Sequence, residues 1–598
     1  MFAPFLSHLL TSDLPAQVIS PNIPVSPAGG LRPNILVFLA DDSGWGDYSI
    51  NGNTNLKTPN IDSIARGGAT LDRFFVCPVC SPTRAEFLTG RYHPRGGVRG
   101  VSTGAERLNL DERTLAEAFK TAGYATGAFG KWHNGSQWPY HPNARGFDEY
   151  FGFTSGHWGE YFDAPLEHNG RPVRGKGFVA DDFTSHAIAF IEENKSKPFL
   201  CFVPFNTPHS PWAVPDEYWQ RFKDKPVPLR AQPGKPEDLD QTRCALAMME
   251  NLDWNVGRVL KRLDELKLAD NTIVVYFSDN GPNSWRWNGA MKGRKGTTDE
   301  GGVRSACFIR WTNGGVRPGS VVTEIAGAID LLPTLTALAG VKPVGDKPLD
   351  GQNLSSLLVG AQRRHWPDRT IFSQWNGNVS ARSQQYRFDN TGALFDMTTD
   401  PGQTKNIAVE KPEVAAKFAI AVANWRKEMH PVAMETGPLA QPFPVGAGGF
   451  AFPNTPLPAR DGVPHGGIKR SSNAPNCSYF VNWTTREDTM TWAIEVATAG
   501  KYEATLLHTA AKAGATVELE FNGSKLTGKV PAVWNPPLYT NQDTLARPPA
   551  ESRMKEFRPL NLGVMRLEKG RGLLTLRALE IPGQIVMDVR QVTLTLVK

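Results

Sequence analysis

Two acidic clusters follow directly on apolar runs. Asp41-Asp42 ends the stretch Asn34 to Ala40, and Asp279-Asn280 ends the stretch Thr272 to Ser278. Their three carboxylates and one amide oxygen are hard ligands suited to Ca²⁺ or Mg²⁺. The same residue types also make strand-end turns and helix caps. Placement favours the metal reading, because ligands of open parallel sheets collect beyond the carboxyl ends of the strands, where two such clusters would meet.

A third group is Cys77-Pro-Val-Cys80-Ser-Pro82-Thr-Arg84. A Cys-x-x-Cys pair can be redox-active or half of a zinc site. No second pair completes a zinc set; Cys201, Cys244, Cys307 and Cys477 stand alone, as small buried apolar residues do. Cys80 opens a helix-like stretch running through Leu88. A reactive group at a helix N-terminus meets free N–H groups and the positive end of the dipole. An arginine four residues on can hold an anion beside it. The combination suits a nucleophile that works on an anion.

The elements needed to position these groups are those of an α/β protein. From Arg32 to about Gly340, strand-sized apolar runs (Asn34 to Ala40, Phe199 to Phe205, Thr272 to Ser278) alternate with helix-period segments such as Thr242 to Leu266. The runs are continuously apolar, as in parallel strands covered on both faces. We expect a lead-in at 1–31 that is a remnant of an export signal or a loose arm, a catalytic domain at 32–340 and a smaller C-terminal subdomain at 341–436. A Pro/Gly-rich linker is expected at 437–469. Beyond it, period-two alternation and the Asn522-Gly523 hairpin signal predict an all-β sandwich at 470–598.

The 598 residues, with 40% apolar and 21% charged, can bury a large core. A net charge of only +6 excludes the dense basic face of a nucleic-acid binder. No apolar run reaches the length of a membrane span. Phe2 to Leu10 is apolar enough for a signal core but lacks a basic flank and a clear cleavage site. Six cysteines supply no disulfide framework.

Cys80-x-Pro82-x-Arg84 resembles the signature of the type I sulfatases, in which that cysteine is oxidised to formylglycine by a separate generating enzyme. The resemblance covers roughly residues 32 to 430. It includes Asn34 to Ser43, Gly123 to Gly135 with its Gly-Lys-Trp-His segment, Asn206 to His209, Phe277 to Gly281 and Gly293 to Gly302, together with Ile329 to Thr334 and Leu394 to Pro401. It departs at Arg304-Ser305-Ala306, where the family often has Arg-Val-Pro. The resemblance implies an α/β, alkaline-phosphatase-like sandwich with a mainly parallel central sheet. It also implies one Ca²⁺ per active site, held by Asp41, Asp42, Asp279 and Asn280 and touching the modified side chain at Cys80.

By the same resemblance one geminal hydroxyl of the hydrated formylglycine attacks sulfur, and the other expels sulfate. Arg84 orients the hydrate. Lys131 and His133, two apart and so projecting alike from an extended segment, face the hydrate and sulfate; His133 is the base. His209 and Lys295 flank the bridging oxygen, one of them acting as acid. The crowded cations are expected to lower the lysine pKa values.

On the substrate side, Trp285, Trp287 and Asn288, together with His157, are candidate walls for a sugar; equally, they are packing residues. We therefore expect a sulfatase acting on a sulfated carbohydrate, periplasmic or secreted. The chemical rival is a phosphonate or phosphate ester hydrolase with the same modified cysteine. The rival from another class is a catalytically silent glycan-binding protein.

Overall fold

A computed structural model describes residues 32–360, 366–429, 443–449, 452–539, 542–551 and 553–597. The lead-in expected at 1–31 lies outside them. At the centre is a ten-stranded sheet. Its middle, in spatial order, is Thr272–Ser278, Asn34–Ala40, Phe199–Pro204, Ala125–Lys131 and Glu149–Phe153, all parallel neighbours. Short strands extend both edges, Cys307–Arg310 running antiparallel to Thr272–Ser278.

Strand alternation splits the apolar runs between two cores. Leu36, Phe38, Cys201, Val203, Val274 and Tyr276 face one side, under the helices Val179–Glu193 and Leu239–Glu265. Ile35, Val37, Leu39, Leu200, Phe202 and Val275 face the other, under Cys80–Thr89, Leu115–Thr121 and Leu331–Leu338. Burial on both faces is why these strands read as continuously apolar. The register aligns Ala40 with Ser278 and Leu39 with Pro204, so the strands end at one level.

A separate antiparallel sheet, Ile371–Trp375, Asn378–Arg382, Tyr386–Phe388 and Leu394–Asp396, packs against the helix Pro412–Met429. Further along, two six-stranded sheets enclose one core built from Trp492, Ile494, Leu506, Leu519, Leu576 and Leu594. Asn522 and Gly523, with φ of 47° and 88°, make the tight turn between Thr516–Phe521 and Ser524–Lys529.

The expected linker at 437–469 needs correction over its described residues. Val445–Ala447 pairs parallel with Thr489–Val496, and Asn454–Pro458 pairs with Asp588–Val597, so this stretch contributes strands to both sheets of the sandwich. Its prolines hid the strands: Pro456 and Pro458 stand in a strand paired on one side only, the position that tolerates a residue without an N–H. Among the described residues, no helix is long and apolar enough to cross a membrane, and all six cysteines are free and buried.

The four-stranded sheet is fastened to the catalytic layer through Glu300. Arg387 Nη2 and Nε donate to its Oε2 at 2.8 and 3.0 Å, and Arg382 Nε adds a third contact at 3.3 Å. Burial alone raises the Glu300 carboxyl, but Arg382, Arg387 and Arg304 outweigh it and hold it at about 2 instead of 4.5. A carboxyl lowered on folding adds stability that is present above its unfolded value and is lost as the pH falls through its folded one. Glu300→Gln is therefore expected to cost about 3–5 kcal/mol at neutral pH, since it leaves two buried guanidinium groups short of a charge. In denaturant titrations across pH, the gap between wild type and variant should narrow from pH 4.5 towards about 2. A gap that does not change with pH would contradict this assignment.

Candidate active site

All the acidic strand ends meet at the carboxyl edge of the central sheet. Asp41 N donates to Thr207 O and Asp279 N to Ala40 O, both at 3.1 Å, which ties three strand ends together. Asp42 adopts φ +67°, a left-handed conformation that a short polar side chain tolerates. It is held there by Asp42 N donating to Asp279 Oδ1 at 3.3 Å and by Arg286 Nη2 donating to Asp42 O at 2.7 Å.

Cys80 is the first residue of the wholly buried helix Cys80–Thr89. Arg84, one turn on, grips Asp279 Oδ2 through Nε (3.1 Å) and Nη2 (2.8 Å), and its Nη1 donates to Lys131 O at 2.6 Å. Thr83 Oγ1 donates to Asp279 O at 2.5 Å. These bonds fix the helix N-terminus against the second acidic cluster. Lys131 Nζ lies 2.6 Å from Asp41 Oδ2, and Lys295 Nζ lies 2.5 Å from Asp42 Oδ1. Asn280 Nδ2 donates to Asp42 Oδ1 at 2.9 Å. His209 Nε2 stands 3.8 Å from Asp42 Oδ2, with Nδ1 at 2.6 Å from Ser210 O.

The expected alternation of Lys131 and His133 is broken, because His133 follows the strand end in a left-handed turn with φ +72°. Its Nε2 sits 2.7 Å from Val101 O. A carbonyl only accepts, so Nε2 carries the proton and Nδ1 presents its lone pair. That Nδ1 is buried with no partner among the described residues. Position 156 has to be glycine here: a Cβ would lie 2.0 Å from His133 Nε2.

The charges shape one another. Burial raises Asp41, but Lys131, His209, Arg84 and Lys295 outweigh it and hold it well below the usual carboxylate range. Asp42 is lowered in the same way, chiefly by Lys295 against burial. Burial and the Asp41 carboxylate push Asp279 up to about 7, against the pull of Arg84 and Lys131. Burial raises the Cys80 thiol despite Lys131 and Lys295. Burial and Lys131 lower His133, and burial and Lys295 lower His209. The lowered pKa expected for Lys295 is overturned. Burial does act downwards, but Asp42, Cys80 and Asp41 outweigh it, so its pKa is raised.

The donor set fits a hard cation. Asp41 Oδ1, Asp42 Oδ2 and Asn280 Oδ1 are buried and lack hydrogen-bond partners among the described residues. One ligand atom each from Asp41, Cys80 and Asp279 lies within 4.8 Å of the others, and likewise for Asp41, Asp42 and His209.

The expected sugar wall is only partly brought here. Asn288 is fully buried and spends its amide on Met291 O and Gly293 O, so it supports the turn leading to Lys295 and is not a wall. Trp287 is half-buried and stacks on Trp45 at 6.4 Å. Trp285 lies between Lys235 and Arg294. His157 is buried with its ring 5.4 Å from that of His209. Sequence reasoning passed over Arg286, which stands between these tryptophans in the sequence. It is buried, bonds the Asp42 carbonyl and pairs with buried Asp47 at 3.2 Å. The only signal for it was a basic residue amid aromatics, which a solvated loop shows as well.

An acidic strand-end pair facing a cysteine at a helix N-terminus, on a doubly covered, mostly parallel sheet, fits the alkaline-phosphatase-like class. Comparison narrows this. The sulfatase family model matches residues 33–341. N-acetylgalactosamine-6-sulfatase of Homo sapiens is 33% identical over 377 residues, spanning 57% of this chain and 68% of that enzyme. Arylsulfatase A of Bos taurus is 31% identical over 480 residues, spanning 69% of this chain and 90% of that enzyme. The solved structure of Ps i-CgsB in complex with k-i-k-neocarrahexaose superposes with a TM-score of 0.60 at 28% identity, covering 66% of this chain and 92% of that one. The chain belongs to the sulfatase family and is a sulfuric ester hydrolase.

Removing Arg286 would leave the buried Asp47 carboxyl, close to the Asp41-Asp42 loop, without its charged partner. Arg286→Met is expected to lower stability by about 3–5 kcal/mol in urea denaturation, against well under half of that for a substitution at an exposed arginine.

Proposed function

We propose that the chain hydrolyses sulfate esters of a carbohydrate, with formylglycine formed from Cys80 and one Ca²⁺ held by Asp41, Asp42, Asp279 and Asn280. The observation that carries this reading is the convergence of Arg84, Lys131 and Lys295 with three carboxylates around the N-terminus of the Cys80 helix. When bound, Ca²⁺ would supply a Lewis-acidic charge for the sulfate oxygens. A hydrated formylglycine offers two geminal hydroxyls where an unmodified thiol offers one nucleophile.

The chain's own residues do the rest. Arg84 sets the helix terminus through its fork on Asp279 and its bond to the Lys131 carbonyl. Lys131 and Lys295 present fixed positive charge where negative charge collects on the sulfate oxygens. Lys295 is best suited to that electrostatic role, because its raised pKa keeps it protonated. His133 Nδ1, the free lone pair of a neutral ring, is the base for the proton at position 80. His209 Nδ1 donates to the Ser210 carbonyl, so Nε2 can protonate the leaving oxygen only from the doubly protonated ring, the form that Asp42, 3.8 Å away, favours against burial and Lys295.

The carbohydrate reading draws on N-acetylgalactosamine-6-sulfatase, whose name specifies a sulfated sugar, and on the solved complex of Ps i-CgsB with k-i-k-neocarrahexaose. Such sulfated polymers are met outside the cytoplasm, which supports a periplasmic or secreted protein matured by a formylglycine-generating enzyme. Family membership favours sulfate over phosphonate esters, and the complete polar set argues against a silent binder.

The test is inorganic sulfate released by protein co-produced with a formylglycine-generating enzyme. The panel would be N-acetylgalactosamine 6-sulfate, carrageenan oligosaccharides, an aryl sulfate and a phosphonate ester. We expect sulfate release from at least one sugar, falling roughly a thousandfold or more in Cys80→Ala. Preferred cleavage of the phosphonate, with the aldehyde confirmed by peptide mass, would contradict the reading.

A further inference from the structure

The segment 543–551, from the C-terminal part of the chain, lies against the catalytic loops. Thr544 N and Leu545 N donate to Trp212 O at 2.8 and 3.1 Å, and Val214 N donates to Thr544 Oγ1 at 3.0 Å. Arg547 Nη2 donates to Gly159 O at 2.5 Å. At the end of this segment Glu551 reaches two loops beside His209. Its Oε1 accepts from Ser210 Oγ, and its Oε2 lies 3.8 Å from His157 Nε2. The backbone of His157 is pinned from both sides: Ser155 Oγ (2.6 Å) and, from the sandwich, Cys477 Sγ (3.1 Å) donate to its carbonyl.

His157 is only 6% exposed, and the Glu551 side chain 13%. Both His157 Nε2 and Glu551 Oε2 are buried without a hydrogen-bond partner among the described residues. Their 3.8 Å separation is too long for a direct bond. One oxygen atom can nevertheless stand within hydrogen-bonding distance of both. Buried polar atoms are rarely left unpaired, and a hydroxyl is the group that can donate to one partner and accept from the other. The His157 ring lies 5.4 Å from the ring of His209, so that hydroxyl would sit near the residue that the proposed function assigns to the leaving oxygen.

We propose that His157 and Glu551 form a subsite for a hydroxyl of the sugar that bears the sulfate, so that the C-terminal sandwich supplies part of the substrate pocket. This rests on the carbohydrate reading above. It gives the appended domain a role in specificity, because a site built to bind a hydroxyl discriminates strongly against a sugar lacking it.

The test compares wild type with Glu551→Gln, which keeps an acceptor for Ser210, and with Glu551→Ala. Substrates are the sugar sulfate that wild type hydrolyses best in the panel above, its monodeoxy analogues, and 4-nitrophenyl sulfate. We expect the ratio of kcat/KM on the sugar to that on the aryl ester to fall at least tenfold in both variants. For one monodeoxy sugar the penalty of the substitution should disappear, because substrate and variant then lack the same bond. Calorimetric binding of the sugar sulfate to Cys80→Ala, with and without Glu551→Gln, should show the same loss. Equal losses on sugar and aryl ester, or a penalty that persists for every deoxy analogue, would overturn the proposal and leave the pair holding a structural water. Wild type that cleaves the aryl ester but no sulfated sugar would instead overturn the carbohydrate reading, and this inference with it.

Discussion

Three carboxylates are buried with Arg84 and Lys131 at one edge of one sheet, and Lys295 is partly buried beside them. Lone charges in such a place would be driven to neutralise. They persist because each carboxylate is paired at close range: Asp41 with Lys131 at 2.6 Å, Asp42 with Lys295 at 2.5 Å, Asp279 with Arg84 at 2.8 Å. The three partners come from a strand end, a loop and a helix N-terminus. Holding all of them within bonding distance demands that every one of those elements be fixed independently. The balance is uneven, with Asp41 and Asp42 held charged and Asp279 pushed up to about 7 by burial and Asp41. A shared divalent cation would relieve that tension.

The rest of the molecule can be understood as support for this arrangement. Apolar strands covered on both faces end at one level and present the two acidic pairs side by side. The helix Cys80–Thr89 is packed beneath the sheet and steered by Arg84 and Thr83. The Lys295 loop is anchored through Glu300 to the four-stranded sheet and through Asn288 to its own backbone. The loops carrying His157 and His209 are braced by Cys477 and Glu551 from the C-terminal part of the chain.

Much of this was legible in the sequence where local pattern and chemistry coincide. The strands Asn34–Ala40 and Thr272–Ser278 were visible as apolar runs closed by Asp-Asp and Asp-Asn, and the Cys80 helix by its Pro and Arg spacing. The Asn522-Gly523 turn was written in two residues that accept positive φ. What stayed hidden depends on contacts between distant segments. Glu551 is an ordinary acidic loop residue until the fold sets it beside His157. Asn288 looked like a ligand-facing amide, yet nearby backbone carbonyls claim it. The strands within 443–469 were masked by proline and glycine because edge pairing on one side needs few N–H donors. The Lys295 shift was misjudged because neighbouring cations were weighed and the Asp42 carboxylate in direct contact was not.

The central claim, that the acidic strand ends form a calcium site, is tested most directly by calorimetric titration of Ca²⁺ into chelator-stripped protein and into Asp42→Asn. The account predicts one binding event per chain in wild type and its loss, or weakening by at least about tenfold, in the variant. Binding of equal strength in both proteins, or none in wild type, would contradict it.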